Sequence, residues 1–157
     1  MGKRPGAVGK MTAPTGTAAP AVRITTQAHF SAAHRLHTDG RDEEWNRRVF
    51  GKCNNPHGHG HTYGLEVTVE GPIQPEKGWV MDFGDLRRVV AERVVRRCDL
   101  RNLNVDVPFL SGVNPTAENI AVAIWNELAP AVSPAKLVRV VLHETERNKV
   151  VYEGPGA

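Results

Sequence analysis

Between Cys53 and Tyr63 the chain reads Cys-Asn-Asn-Pro-His-Gly-His-Gly-His-Thr-Tyr, and through Gly64 it runs directly into Leu65-Glu66-Val67-Thr68-Val69-Glu70. The alternation of apolar and polar residues after the glycines predicts a strand with one buried face. Residues two apart on a strand point the same way, so His59 and His61 project together on the side of Leu65, Val67 and Val69. Two neutral imidazoles on one face make half of a zinc site, and the ion then takes a third ligand from elsewhere. The competing reading is a glycine-rich turn with solvated histidines. The thiol of Cys53 and a further histidine, His34, at the end of an upstream strand favour the metal.

The length of 157 residues fits one domain with a real core. A formal charge of +3, partly from Lys3, Arg4 and Lys10, and only 6% aromatic residues argue against a nucleic-acid surface. A small anionic ligand suits this mild positive charge. Cys53 and Cys98 are too few for a disulfide-stapled secreted framework. Residues 1–20 are rich in Gly, Ala, Pro and Thr, without the apolar core of a signal peptide or a membrane span. They read as a disordered extension to a domain covering residues 21–157 of a cytoplasmic protein.

Residues 22–33 predict a first strand and 59–70 a second, separated by a polar Gly/Asn-rich loop at 37–58. A helix starts at Asp82, a good N-cap, and carries Leu86, Val89, Val90 and Val94 at helical spacing. Residues 99–114 form a second long connection. Thr116 caps another helix bearing Ile120, Ala121, Ile124, Trp125 and Leu128, stopped by Pro130 and Pro134. Residues 136–145 and 149–153 make a hairpin. The order ββααββ defines an α+β domain, an antiparallel sheet with two helices on one face.

Several residues carry chemistry on this frame. A site of His34, His59 and His61 leaves an open position for a Lewis acid to use. Cys53, beside Lys52 and several histidines, lies in surroundings that favour a thiolate, a base or nucleophile. It also serves equally as a fourth ligand, closing a structural site. Glu144, on an otherwise apolar strand, either faces water or accepts two parallel hydrogen bonds from an amidine-like ring edge such as a pterin or guanine. Asp99 and Arg101 offer a general acid/base and a phosphate contact. His57 is a loop imidazole, solvated or steadying the ligands.

Taken in order, Phe30-Ser31-Ala32-Ala33-His34-Arg35-Leu36, the Cys53–Tyr63 run, Gly78-Trp79-Val80-Met81-Asp82-Phe83, Asn102-Leu103-Asn104, Pro115-Thr116-Ala117-Glu118-Asn119 and Glu144-Thr145 resemble the 6-pyruvoyl-tetrahydropterin synthase / 6-carboxytetrahydropterin synthase family. The resemblance covers Val22 to Gly154. It implies the tunnelling fold, subunits whose sheets close into a trimeric barrel, with two trimers stacked as a homohexamer and active sites between subunits. It implies dihydroneopterin triphosphate as substrate and Zn2+ on His34, His59 and His61. By the same resemblance Cys53 is the proton-abstracting base with Asp99 beside it, and Glu144 and Thr116 belong to the pterin pocket.

The family has Asp-His where this chain has Asp99-Leu100, and leucine relays no proton. His57 or His143 then takes that part, the enzyme is slow, or the site has been turned to another substrate or to binding alone. Cys53 precedes His59 by six residues, as in pyruvoyl-forming members. Counted to His57 instead, the spacing is the four of carboxy-forming members. The Arg-, Ala- and Val-rich composition is of bacterial type, which points to the 6-carboxy product of deazapurine (queuosine) synthesis, with the 6-pyruvoyl product as the alternative.

Overall fold

The computed structural model describes residues 19–156, so all but the last two residues of the expected N-terminal extension lie outside the described residues. Five strands form one sheet in the order β3-β1-β2-β4-β5. Strand β1 (Ala21–His34) and strand β2 (His59–Pro72) pair antiparallel along their whole length, from Ala21 opposite Pro72 to His34 opposite His59. Strand β4 (Lys136–His143) pairs with β2, and β5 (Lys149–Tyr152) closes that side as an antiparallel hairpin.

The period-two pattern sets the faces. Phe30, Ala32, Tyr63, Leu65, Val67 and Val69 are buried on one side. Helix α2 (Phe83–Val90) and helix α4 (Ala117–Leu128) pack there and contribute Leu86, Val90, Ile120, Ala121, Ile124 and Leu128 to the core. Both helices are capped as their sequences predict. Asp82 accepts from the N–H groups of Gly84 and Asp85 at 2.7 and 3.2 Å, and Thr116 accepts from Asn119 N–H at 3.3 Å. From α2 the chain continues through a π-turn (Ala91–Val95) into a last turn, α3 (Arg96–Cys98), which ends on the fully buried Cys98.

Two elements depart from the sequence reading. The polar loop at 37–58 contains a helix, α1 (Glu43–Phe50), capped by Asp42 accepting from Trp45 N–H at 2.7 Å, with Glu43 and Glu44 in its first turn and Arg47 and Arg48 in its last. Only Asn46 of α1 is buried; Trp45, Val49 and Phe50 lie at helical spacing but stay partly exposed and add nothing to the core, so this short amphipathic stretch reads as loop. The second departure is β3 (Arg101–Asn102), which pairs parallel with Ala32–Ala33 and makes the sheet mixed instead of antiparallel throughout. It is held by Leu100 N–H on Ser31 O and Leu103 N–H on Ala33 O, contacts that no local pattern encodes.

Because β3 is so short, the edge of β1 over residues 21–30 has no strand beside it among the described residues. None of the described helices is long and apolar enough to cross a membrane.

Candidate active site

Strand pairing builds the centre of the site. His34 ends β1 opposite His59, the first residue of β2, and Ala32 stands opposite His61. The three imidazoles therefore share the helix-facing side of the sheet, at its end. One nitrogen from each lies within 4.8 Å of the other two, and Nε2 of His34 is 3.1 Å from Nε2 of His59. Two nitrogens around a tetrahedral ion at bond lengths of about 2.0–2.1 Å stand roughly 3.3 Å apart, so this spacing suits a shared cation.

The tautomers fit as well. His34 is 1% exposed, and its Nδ1–H donates to the carbonyl of Pro115 at 2.8 Å, which leaves Nε2 with a free lone pair. Nε2 of His61 is buried with no hydrogen-bond partner among the described residues, as is Nδ1 of His59, whose other nitrogen, Nε2, is the one that meets His34. A buried imidazole nitrogen without a partner, beside two other imidazoles, is one that a metal ion would satisfy. Burial first, then the neighbouring imidazoles, pushes His34 below the ordinary histidine range, against the bond to Pro115 and the charge of Glu144. Burial does the same to His61. Both rings are thus kept neutral, the state in which they ligate.

Tyr63 completes the cluster and escaped the sequence reading, although its alternation with His59 and His61 carried the signal. It is fully buried, with its hydroxyl 3.4 Å from Nδ1 of His34. Burial, helped by Glu144, Cys53 and Cys98, raises its pKa well above the phenol range, so it stays neutral.

Around the trio lie three clefts. His59 opens on one of about 640 Å³ that contains Cys53, Arg47, Lys52 and Asn54. His61 opens on a second of about 700 Å³, together with Glu144, Glu66 and His143. A third, of about 550 Å³, also reaches His61 and holds Leu100 and Arg101. The structure thus brings Cys53 and Glu144 to different sides of the histidines.

Glu144 is not on a strand, as its sequence context suggests, but one residue past β4, where its N–H donates to Asn148 O in the hairpin turn. That step lets its carboxylate approach Nε2 of His34 to 3.9 Å. Thr116 spends its hydroxyl on the cap of α4, next to the Pro115 carbonyl that holds His34. Asp99 accepts from Ser31 N–H at 2.8 Å and so fastens the approach to β3. Leu100 is 84% exposed and takes a left-handed backbone at φ 56°. His57 is exposed and outside the trio. His143 is 3.0 Å from Glu66 on the opposite face of the sheet from Leu65 and Leu142. Both cysteines are free, and burial pushes the Cys98 thiol up to about 12, an inert core group.

Comparison with known proteins agrees with this architecture. Residues 23–155 match the family model described as 6-pyruvoyl tetrahydropterin synthase. The 6-pyruvoyl tetrahydrobiopterin synthase of Poecilia reticulata is 46% identical over 131 residues, covering 83% of this chain and 89% of that protein. The dihydroneopterin monophosphate aldolase of Pyrococcus furiosus is 41% identical over 123 residues, covering 78% and 89%. The solved structure of Caenorhabditis elegans 6-pyruvoyl tetrahydropterin synthase superposes with a TM-score of 0.82 at 37% identity, over 87% of this chain and 98% of that one. Together with these relatives, the α+β fold and its histidine trio, buried at His34 and half-buried at His59 and His61, mark a pterin lyase. The chain belongs to the 6-pyruvoyl tetrahydropterin synthase family.

Proposed function

We propose that this chain is a zinc-dependent lyase that eliminates triphosphate from 7,8-dihydroneopterin triphosphate and forms the 6-pyruvoyl product. The observation that carries the choice of product is the register of the metal trio. The histidines that converge are His34, His59 and His61, while His57 stays outside. The thiol therefore stands six residues before the first ligand of β2, the spacing that the resemblance associates with pyruvoyl-forming members. The name of the Poecilia relative supports the same product. The 6-carboxy product of the sequence reading uses the same residues and is the second outcome of the assay. The aldolase relative shows how near a third reaction lies.

In this reading His34, His59 and His61 hold Zn2+, which when bound supplies a Lewis acid for side-chain oxygens of the substrate. Sγ of Cys53, as the thiolate, would take up the proton from the substrate side-chain carbon. Glu144 accepts hydrogen bonds from the pterin ring edge, and its place in a turn beside His34 supports that role. By the same reading Thr116, whose hydroxyl caps α4 beside the Pro115 carbonyl, belongs to the pterin pocket. Asp99 supports the proton transfer from the side of Leu100, in place of the aspartate-histidine pair that the resemblance implies.

Because the cleft of Cys53 and that of Leu100 are separate, and β1 leaves an open edge, we place the working site in a trimer or hexamer of residues 21–157. A cytoplasmic setting fits two free thiols.

The test is turnover of dihydroneopterin triphosphate by purified protein with product identification, alongside metal analysis. One zinc per chain and a 6-pyruvoyl product are expected. His59→Ala should lose the zinc, and Cys53→Ala should keep it while losing turnover. A 6-carboxy product would return the chain to the other branch of the family, and loss of zinc in Cys53→Ala would make the site a closed structural one.

A further inference from the structure

Strand β1 leaves the sheet at His34, and the next four residues have no strand partner among the described residues. Four asparagine side chains take the place of one. Asn104 Oδ1 accepts from Arg35 N–H at 2.8 Å and its Nδ2 donates to Arg35 O at 2.9 Å. Asn54 Nδ2 donates to Leu36 O at 2.8 Å. Asn114 Oδ1 accepts from His37 N–H at 3.2 Å. Asn46 Oδ1 accepts from Thr38 N–H at 2.8 Å and its Nδ2 donates to Thr38 O at 3.1 Å. A primary amide offers the same donor and acceptor as a peptide unit, so each asparagine stands in for a missing neighbouring strand.

One member of this ladder differs from the rest. Asn54 follows Cys53 directly and is 5% exposed. Its Nδ2 also lies 3.1 Å from Nδ1 of His37. Its backbone carbonyl accepts from Arg35 Nε at 3.1 Å, and the carbonyl of Cys53 accepts from Leu36 N–H at 2.9 Å. The thiol loop is therefore tied at consecutive residues to the segment that begins one residue after the metal ligand His34. The other three asparagines tie that segment elsewhere and leave the thiol loop untouched.

We propose that Asn54, with Arg35, is a positioning residue that fixes Sγ of Cys53 relative to the histidine trio. The proposal rests on Cys53 acting as the base. Proton transfer demands a near-contact geometry, and a displacement of about 1 Å costs on the order of 10²-fold in rate.

Asn54→Ala should lower kcat roughly 10- to 100-fold while KM and zinc content hold. Because Cys98 is fully buried, iodoacetamide labelling of the folded protein reports on Cys53, and it should run several-fold faster once the loop is released. Asn46→Ala deletes the two bonds to Thr38 at the far end of the same ladder, away from Arg35 and Asn54, and should leave kcat and labelling at their wild-type values. Arg35→Lys keeps the charge but loses the Nε donor, and should move both readouts in the direction of Asn54→Ala; it decides the matter if Asn54→Ala does not fold. Equal kcat losses in Asn54→Ala and Asn46→Ala would overturn the proposal, as would unchanged kcat and labelling in Asn54→Ala. Full turnover by Cys53→Ser would sink the base assignment instead, and the labelling rate of Asn54→Ala would still decide whether the loop is held this way.

Discussion

At the scale of the residue, legibility followed local periodicity. His59 and His61 were visible because two-residue spacing on a strand fixes a shared face, and His34 because it ends a strand able to pair with theirs. Glu144 was visible as an oddity in an apolar run, but its placement in a turn was not, since the turn is set by Asn148 and Thr145 closing on backbone groups. Glu144→Gln keeps the shape and removes the charge. A charge-assisted pair of contacts to the ring edge is worth about 2–4 kcal/mol, so substrate affinity should fall by roughly 30- to 1000-fold in a binding titration. Unchanged binding would make Glu144 a surface carboxylate. Leu100 poses a different question, because a left-handed backbone costs a leucine about 1–2 kcal/mol and its exposed side chain recovers little. Leu100→Gly should raise Tm by about 2–4 °C. Histidine tolerates this backbone region better than most residues, so Leu100→His should be well folded and raise turnover about tenfold or more. A folded Leu100→His with unaltered kcat would show that the proton passes elsewhere.

Elements were legible where an apolar stripe or a cap announced them. Strands β1, β2, β4 and β5 and the helices after Asp82 and Thr116 all bury a periodic face. Helix α1 buries almost nothing, and its caps and end charges sit in a segment whose composition reads as loop. Strand β3 exists only through its contacts with β1, so no window of sequence could contain it. The turn before β2 shows how tightly one element is fitted to another. Gly58 has φ +70°, and a Cβ there would lie 2.8 Å from the backbone oxygen of His34. Alanine at this position suffers both the left-handed penalty and a clash with rigid backbone. Gly58→Ala should therefore weaken zinc binding, measured by chelator competition, more than it lowers the stability of the metal-free chain. Retention of wild-type zinc affinity would mean that the turn adjusts without disturbing His34.

For the molecule as a whole, the burial of the trio makes the metal-free fold sensitive to acid. His34 and His61 bind protons less readily in the folded state than in the unfolded one, because burial lowers both. As pH falls below about 6.5, the unfolded chain takes up protons that the folded chain refuses, so stability is present above that value and declines through the range down to about pH 5. Thermal melts of the metal-free protein should show Tm constant from pH 8 to 7 and falling from 6.5 to 5, before most carboxylates titrate. A flat profile over that interval would contradict the lowering of His34 and His61 by burial.

Strand β1 carries an edge along its first ten residues that is unpaired among the described residues, and His34 at its last position. A strand from another copy laid along that edge would clamp the far end of the same rigid rod that seats the metal ligand. Protein concentration then enters the rate law: on serial dilution, specific activity should hold steady until copies separate and then drop, with added zinc shifting the break to lower concentration.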